Sequence, residues 1–170
     1  KGRGFDYNAY PGKLKSLSNA NGPRYEKGRF GNALYFNGSD AYVETHFKGI
    51  GGNKPRTVAF WAKIPDDFTQ NNGYGMVSWG LNKRGAAWQI SPNPSAKEGL
   101  LGRIRVGTSG PPVIGSKDLR DHHWHHIAIV MYGGKEADTS THILIYVDGE
   151  LEKTTQKAIT KINTVLDNDK

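Results

Sequence analysis

The sequence predicts an all-β fold, two antiparallel sheets packed as a sandwich, on three observations. Its 22 glycines and 8 prolines punctuate short runs of β-branched and aromatic residues, the rhythm of many strands joined by many turns. RTVAFWAKI, residues 56–64, sets Val58, Phe60, Ala62 and Ile64 on one side and Thr57, Ala59, Trp61 and Lys63 on the other, the period of a sheet with one buried face. No stretch sustains a helical period.

The first predicted strands lie around Ala33 to Phe36 and Ala41 to Thr45, joined by the turn-former NGSD and preceded by a loop-rich stretch. RTVAFWAKI is the clearest strand. PDDFTQNNGYG then reads as loop, MVSWG as strand, LNKRG as turn, AAWQIS as strand, PNPSAKEG as loop and LLGRIRVG as strand. LRDHHWHHIAIVMYGG, residues 119–134, carries a central strand. THILIYVDGELEKTT is a hairpin whose Asp148-Gly149 turn follows the strand Ile143 to Val147. The tail KAITKINTVLDNDK turns polar without a final strand. Short strands at regular spacing favour a sandwich or jelly roll over helical or βαβ folds.

The 170 residues predict a single domain spanning 1–170, large enough to bury roughly 70% of the surface of its unfolded chain. With no cysteine, disulfides and thiolate metal sites are excluded, and the redox compartment stays open. No apolar run approaches the ~20 residues needed to cross a bilayer, and the opening KGRGFDYN is not a signal peptide, so a soluble, excised or processed piece without membrane insertion is expected. Lys and Arg exceed Asp and Glu by 23 to 16, a bias toward polyanionic partners such as acidic glycans. The basic residues are scattered and form no nucleic-acid motif, so nucleic acid is not an expected partner.

Four of the six histidines, His122, His123, His125 and His126, surround Trp124. On a strand, His123 and His125 share a face with Ile127 and Ile129, while Trp124 and His126 take the other. The pair His123 and His125 has zinc-ligand spacing, but a closed site needs further ligands, and no spacing recommends His46 or His142. The favoured expectation is structural. Trp124 and His126 pack at the start of a central strand, their ring nitrogens bonded to backbone, with His122 and His123 on the preceding turn.

Five segments in order, GRFGNALYFNGSDAYVET, RTVAFWAKI, MVSWG, DLRDHHWHHIAIVMYGG and ILIYVDGELE, resemble the laminin-G-like, concanavalin-A-like jelly-roll family. They span most of residues 28–152, and are most similar to the bacterial laminin-G-like domains attached to membrane-anchored FecR-type anti-sigma regulators. The resemblance implies a carbohydrate-binding or adhesion module placed outside the cytoplasmic membrane, in which Trp-His-His before an apolar strand is a structural signature. Relatives continue into strands of the form Ile-Gly-Arg and Phe-x-Gly-x-Ile-Asp-Glu, and nothing of the kind follows Asn163. C-terminal strands therefore read as missing, either cut away or supplied by another polypeptide along an open edge.

Glycosidases of this fold carry Glu-x-Asp-x-x-Glu on one strand face, because one acid must donate a proton while another attacks or stabilises. This chain has no such run; Glu150 and Glu152 share a face of a hairpin arm where solvated charge is the default. Neither a Gly-x-Ser-x-Gly elbow nor a phosphate loop occurs, so a non-catalytic protein is expected. The resemblance implies possible Ca²⁺ at Asp40, in the position of the family's acidic turn, with Asp66 and Asp67 as accessory oxygens. The alternative for Asp40 is an Asx turn bonded to its own backbone.

Sugar recognition needs aromatic faces for C–H surfaces and amides or guanidinium groups for hydroxyls. Tyr74, Trp79, Trp88, Gln89, Arg103 and Arg105 are the candidate ligand-binding residues. Gln89, Arg103 and Arg105 would grip a carboxylated or sulfated glycan if they line one sheet face. The expected function is a non-catalytic module recognising a glycan or surface protein; the alternatives are a subunit pairing through an open edge and a divergent polysaccharide-active enzyme.

Overall fold

The computed structural model describes residues 11–16, 22–68 and 75–166, and every regular element among them is a β-strand. The chain divides into two compact units, Lys1–Lys48 and Gly49–Lys170, where the sequence reads as one domain.

The first unit holds β1 (Gly12–Ser16), β2 (Arg24–Lys27), β3 (Asn32–Tyr35) and β4 (Ala41–Thr45). β1 pairs with β4, and β2 with β3, both antiparallel. Strands therefore form on both sides of NGSD, as predicted, but not as a hairpin with each other. The Asn37 Oδ1 accepts the N–H groups of Ser39, Asp40 and Ala41 at 3.0, 3.2 and 3.2 Å. That local capping consumes the amides and makes the segment a bend between two ribbons.

The second unit holds β5 (Arg56–Lys63), β6 (Val77–Gly80), β7 (Ala87–Pro92), β8 (Ile104–Gly107), β9 (Val113–Ile114), β10 (Trp124–Met131), β11 (Ile143–Val147) and β12 (Glu150–Leu151). They form two antiparallel sheets, in the orders β12-β11-β10-β5 and β6-β7-β8-β9. The chain thus leaves the first sheet after β5, completes the second, and returns at β10. Ile127, Ile129, Met131, Ile143, Ile145 and Val147 from one sheet share a core with Trp88, Ile90, Ile104 and Val106 from the other. Val58, Phe60 and Ala62 pack against it, on the face their alternation predicts. Each fully buried Ile or Val here contributes roughly 1.5–3 kcal/mol relative to exposure. At the β11–β12 turn, φ is +54° at Asp148 and +87° at Gly149, the two positive values that a two-residue type I′ hairpin demands.

Among its described residues the polar tail forms only isolated bridges, yet it is locked to this unit. Isolated bridges pair Gly52 with Thr164, Ile114 with Thr155 and Asp138 with Lys161, and Thr160, Ile162 and Thr164 are buried. Arg56 is the polar rivet. Its guanidinium, 4% exposed as a residue, donates to the Thr164 hydroxyl at 2.9 Å, the Gly52 carbonyl at 2.9 Å and the Lys54 carbonyl at 3.1 Å. It also lies 5.0 Å from the centroid of Trp88, a cation–π distance. Desolvation lowers its pKa to about 10, which leaves it charged at neutral pH. Arg56→Met is expected to cost about 1.5–3 kcal/mol in urea unfolding, since bonds to a charged group are lost. A cost near zero would mean that burying the charge offsets everything those bonds return.

Candidate functional site

Strand parity builds the candidate site. On β7, Trp88 and Ile90 point into the core, so Gln89 and Ser91 face outward. The register continues this face across the sheet: Ser78 opposes Gln89, Ser91 opposes Arg105, and Gln89 opposes Gly107. Gly75, Ser78, Gln89, Ser91 and Arg105 line a shallow depression of about 60 Å³. Most of its accessible lining is carbon, with the Ser78 hydroxyl, the Gln89 amide and the Arg105 guanidinium as the groups able to make directional bonds to a hydroxylated ligand.

Two details describe this depression. Ser91 is 1% exposed, and its hydroxyl, like Thr108 Oγ1 and Thr160 Oγ1, is buried with no hydrogen-bond partner among the described residues. Arg105 is held at one end only, its Nε donating to Glu98 Oε2 at 3.0 Å. The guanidinium lies over Gly107, where a β-carbon would come within 3.1 Å of Nη1. Glycine there makes the room.

Of the predicted ligand-binding residues, the sheet brings together Gln89 and Arg105. Trp88 is corrected to a core role: it is 0% exposed, so neither ring face is open to a sugar. Trp79 lies on the same inner side, half-buried against the core, stacked on Trp88 at a centroid distance of 6.0 Å and donating Nε1–H to the Ile50 carbonyl at 3.3 Å. It is removed from the ligand set because β6 turns it away from Gln89. Arg103 precedes β8 and is committed elsewhere, with Nη1 donating to Asp118 Oδ2 at 2.6 Å and to the Leu101 carbonyl at 2.7 Å. The bonds and charges of Arg120, together with Arg103, hold the Asp118 carboxyl down at about 2 despite its partial burial. Tyr74 lies outside the described residues. Sequence reasoning missed Ser78, Ser91 and Glu98; the first two were recoverable by carrying the parity of Gln89 along and across the strands.

The histidine cluster is architectural in its geometry, with a different division of labour from the one expected. The strand begins at Trp124, and the buried alternation of Ile127, Ile129 and Met131 carries His125 inward. Its Nδ1 lies 2.7 Å from Asp148 Oδ2, and its Nε2 lies 3.1 Å from both oxygens of Asp121. Carboxylates therefore face both ring nitrogens of His125. His123 stays on the preceding turn, largely exposed, 3.6 Å from Asp121. Trp124 and His126 occupy the opposite, half-buried face, where Trp61 stands 5.4 Å from His126 and Lys63 Nζ lies 5.6 Å from Trp124. Burial opposes ionisation of Asp148, but Lys117 Nζ at 2.7 Å, His125 and the His126 N–H at 2.9 Å outweigh it. Its carboxyl is held far below the usual carboxylate range.

The remaining candidates are structural in their contacts. Glu152 Oε2 accepts from Ser116 N, Ser116 Oγ and Lys117 N at 2.7, 2.8 and 2.7 Å, while Glu150 is exposed on β12. Around Asp40, donors surround the carboxylate: Asn37 Nδ2 at 2.6 Å and Ser16 Oγ at 2.8 Å. The Asx cap belongs to Asn37, not Asp40. Ca²⁺ requires 6–8 oxygens turned toward it, and each Asp40 oxygen here accepts a hydrogen bond. Asp66 and Asp67 lie exposed on the loop after β5. No cluster of His, Asp or Glu suited to a metal occurs among the described residues. A depression of about 170 Å³ in the first unit, lined by Lys13, Glu44, Thr45, His46 and Lys48, mixes charges of both signs, and its Glu44 lies 3.8 Å from Lys15.

No curated protein and no solved structure matches the chain. A laminin-G-type family model does, over residues 37–169. That span covers the two sheets, their shared core and the polar outer face of β6, β7 and β8. The chain belongs to the Concanavalin A-like lectin/glucanases superfamily.

Proposed function

We propose that this chain is a non-catalytic carbohydrate-recognition module whose contact face is the depression of Ser78, Gln89, Ser91 and Arg105. Membership of a superfamily of lectins and glucanases supports a sugar ligand, and the half-buried Gln89 amide and Arg105 guanidinium beside the depression support this face. The observation that carries the reading is the cross-strand register that sets Ser78, Gln89 and Arg105 on one outer face. Recognition in place of hydrolysis is supported by Glu152, whose carboxylate is wrapped by three donors. The resemblance to domains attached to FecR-type regulators supports a position outside the cytoplasmic membrane.

The test is Gln89→Ala, read on a glycan array and in thermal unfolding. The variant is expected to melt near the wild-type temperature, because Gln89 lies outside the core, and to bind its best glycan about tenfold more weakly, the loss of one directional bond. Unchanged binding contradicts the assignment of this face.

A second reading has one observation behind it. Among the described residues, the eight-residue β5 pairs on one side only, a geometry open to strand addition by a partner chain. Light scattering after size exclusion tests it: a stable hetero-complex supports strand sharing, and a monomer opposes it.

A further inference from the structure

Resting on the proposed sugar-binding role of this face, we infer that the depression receives the exocyclic carboxylate of an acidic sugar. Size comes first. About 60 Å³ holds a few heavy atoms and falls far short of the ~300–1,000 Å³ of a pocket that engulfs a ligand. A pendant group enters; the ring stays outside.

Chemistry then selects the group. Arg105 is 14% exposed in its side chain, and Glu98 takes only its Nε. Nη1 and Nη2 make no hydrogen bond among the described residues, so one edge of the planar fork is unspent. A carboxylate matches such an edge with two parallel bonds. Ser78 can donate a hydroxyl proton to the same anion, and the Gln89 amide adds another donor. The chain's net charge of +7 steers polyanions toward the surface. Glu98 is the counterweight, competing with the ligand for Arg105.

Titration calorimetry of the full chain tests this with a uronate tetrasaccharide, its carboxyl-reduced neutral counterpart and a sulfated tetrasaccharide. The uronate is expected to bind at least tenfold more tightly than the reduced sugar. Arg105→Gln should close that gap, Arg105→Lys should restore part of it as charge without the fork, and Glu98→Gln should widen it. Thermal midpoints taken alongside separate lost binding from lost folding. Equal affinity for uronate and reduced sugar overturns the carboxylate while leaving sugar recognition standing. Tighter binding of the sulfated sugar than of the uronate also overturns it. Failure of all three sugars overturns both.

Discussion

Trp88→Ala is expected to destabilise the fold by about 3–5 kcal/mol, the range for deleting a large aromatic from a packed core. The site has little freedom to collapse. Trp88 is 0% exposed, stacks on Trp79 at 6.0 Å and carries the Arg56 guanidinium 5.0 Å from its ring, so truncation strands both neighbours. Trp88→Phe should cost much less than alanine. It retains an aromatic face and removes an indole N–H that is buried without a partner among the described residues, which offsets part of the lost volume. Urea unfolding of both variants checks the pair. If Trp88→Ala keeps its stability and loses glycan binding, the residue is a ligand contact and the core assignment is wrong.

Acid should loosen the molecule through Asp148 and Asp118. Both carboxyls are held below their ordinary value in the folded chain, Asp118 at about 2. A depressed folded pKa means that the stabilisation is complete above the unfolded value near ~3.9 and disappears as pH falls through the folded one. The melting temperature is therefore expected to hold above about pH 5 and to fall steeply between about 4 and 2. Asp148→Asn isolates one contributor, since asparagine tolerates the positive φ of the turn. It should cost about 1–2 kcal/mol at pH 7, a range reduced because the carboxylate is a third exposed and partly screened. Its cost should shrink steadily as pH falls below about 4. A variant as acid-sensitive as the wild type would show that Asp148 plays no part in the transition.

The sequence made the sandwich legible wherever one face is buried and the other is not. RTVAFWAKI, MVSWG, AAWQIS and ILIYVDGELE all form strands within a residue or two of the expected positions, because alternation and the Asp148-Gly149 turn are local signals. β1 and β2, KLKS and RYEK in their cores, were hidden because they are exposed along nearly their whole length and offer no apolar period. β9 was hidden because it has only two residues, Val113 and Ile114, after a Pro-Pro pair. Half of the site followed the same logic. Gln89 and Arg105 were found by residue type and meet by register, whereas Trp79 and Trp88 were chosen for aromaticity, and side-chain chemistry alone does not reveal which face of a strand is wet. His125 could not be placed between Asp121 and Asp148 from sequence, since Asp148 reaches it only through the pairing of β11 with β10.

The most direct test of the central claim is an amide chemical-shift titration of the ¹⁵N-labelled chain with its best array-bound oligosaccharide. Saturable shifts are predicted at Ser78, Gln89, Ser91, Arg105 and Gly107. Shifts centred on Trp61, Trp124 and Tyr146, on the outer face of the other sheet, would contradict the account.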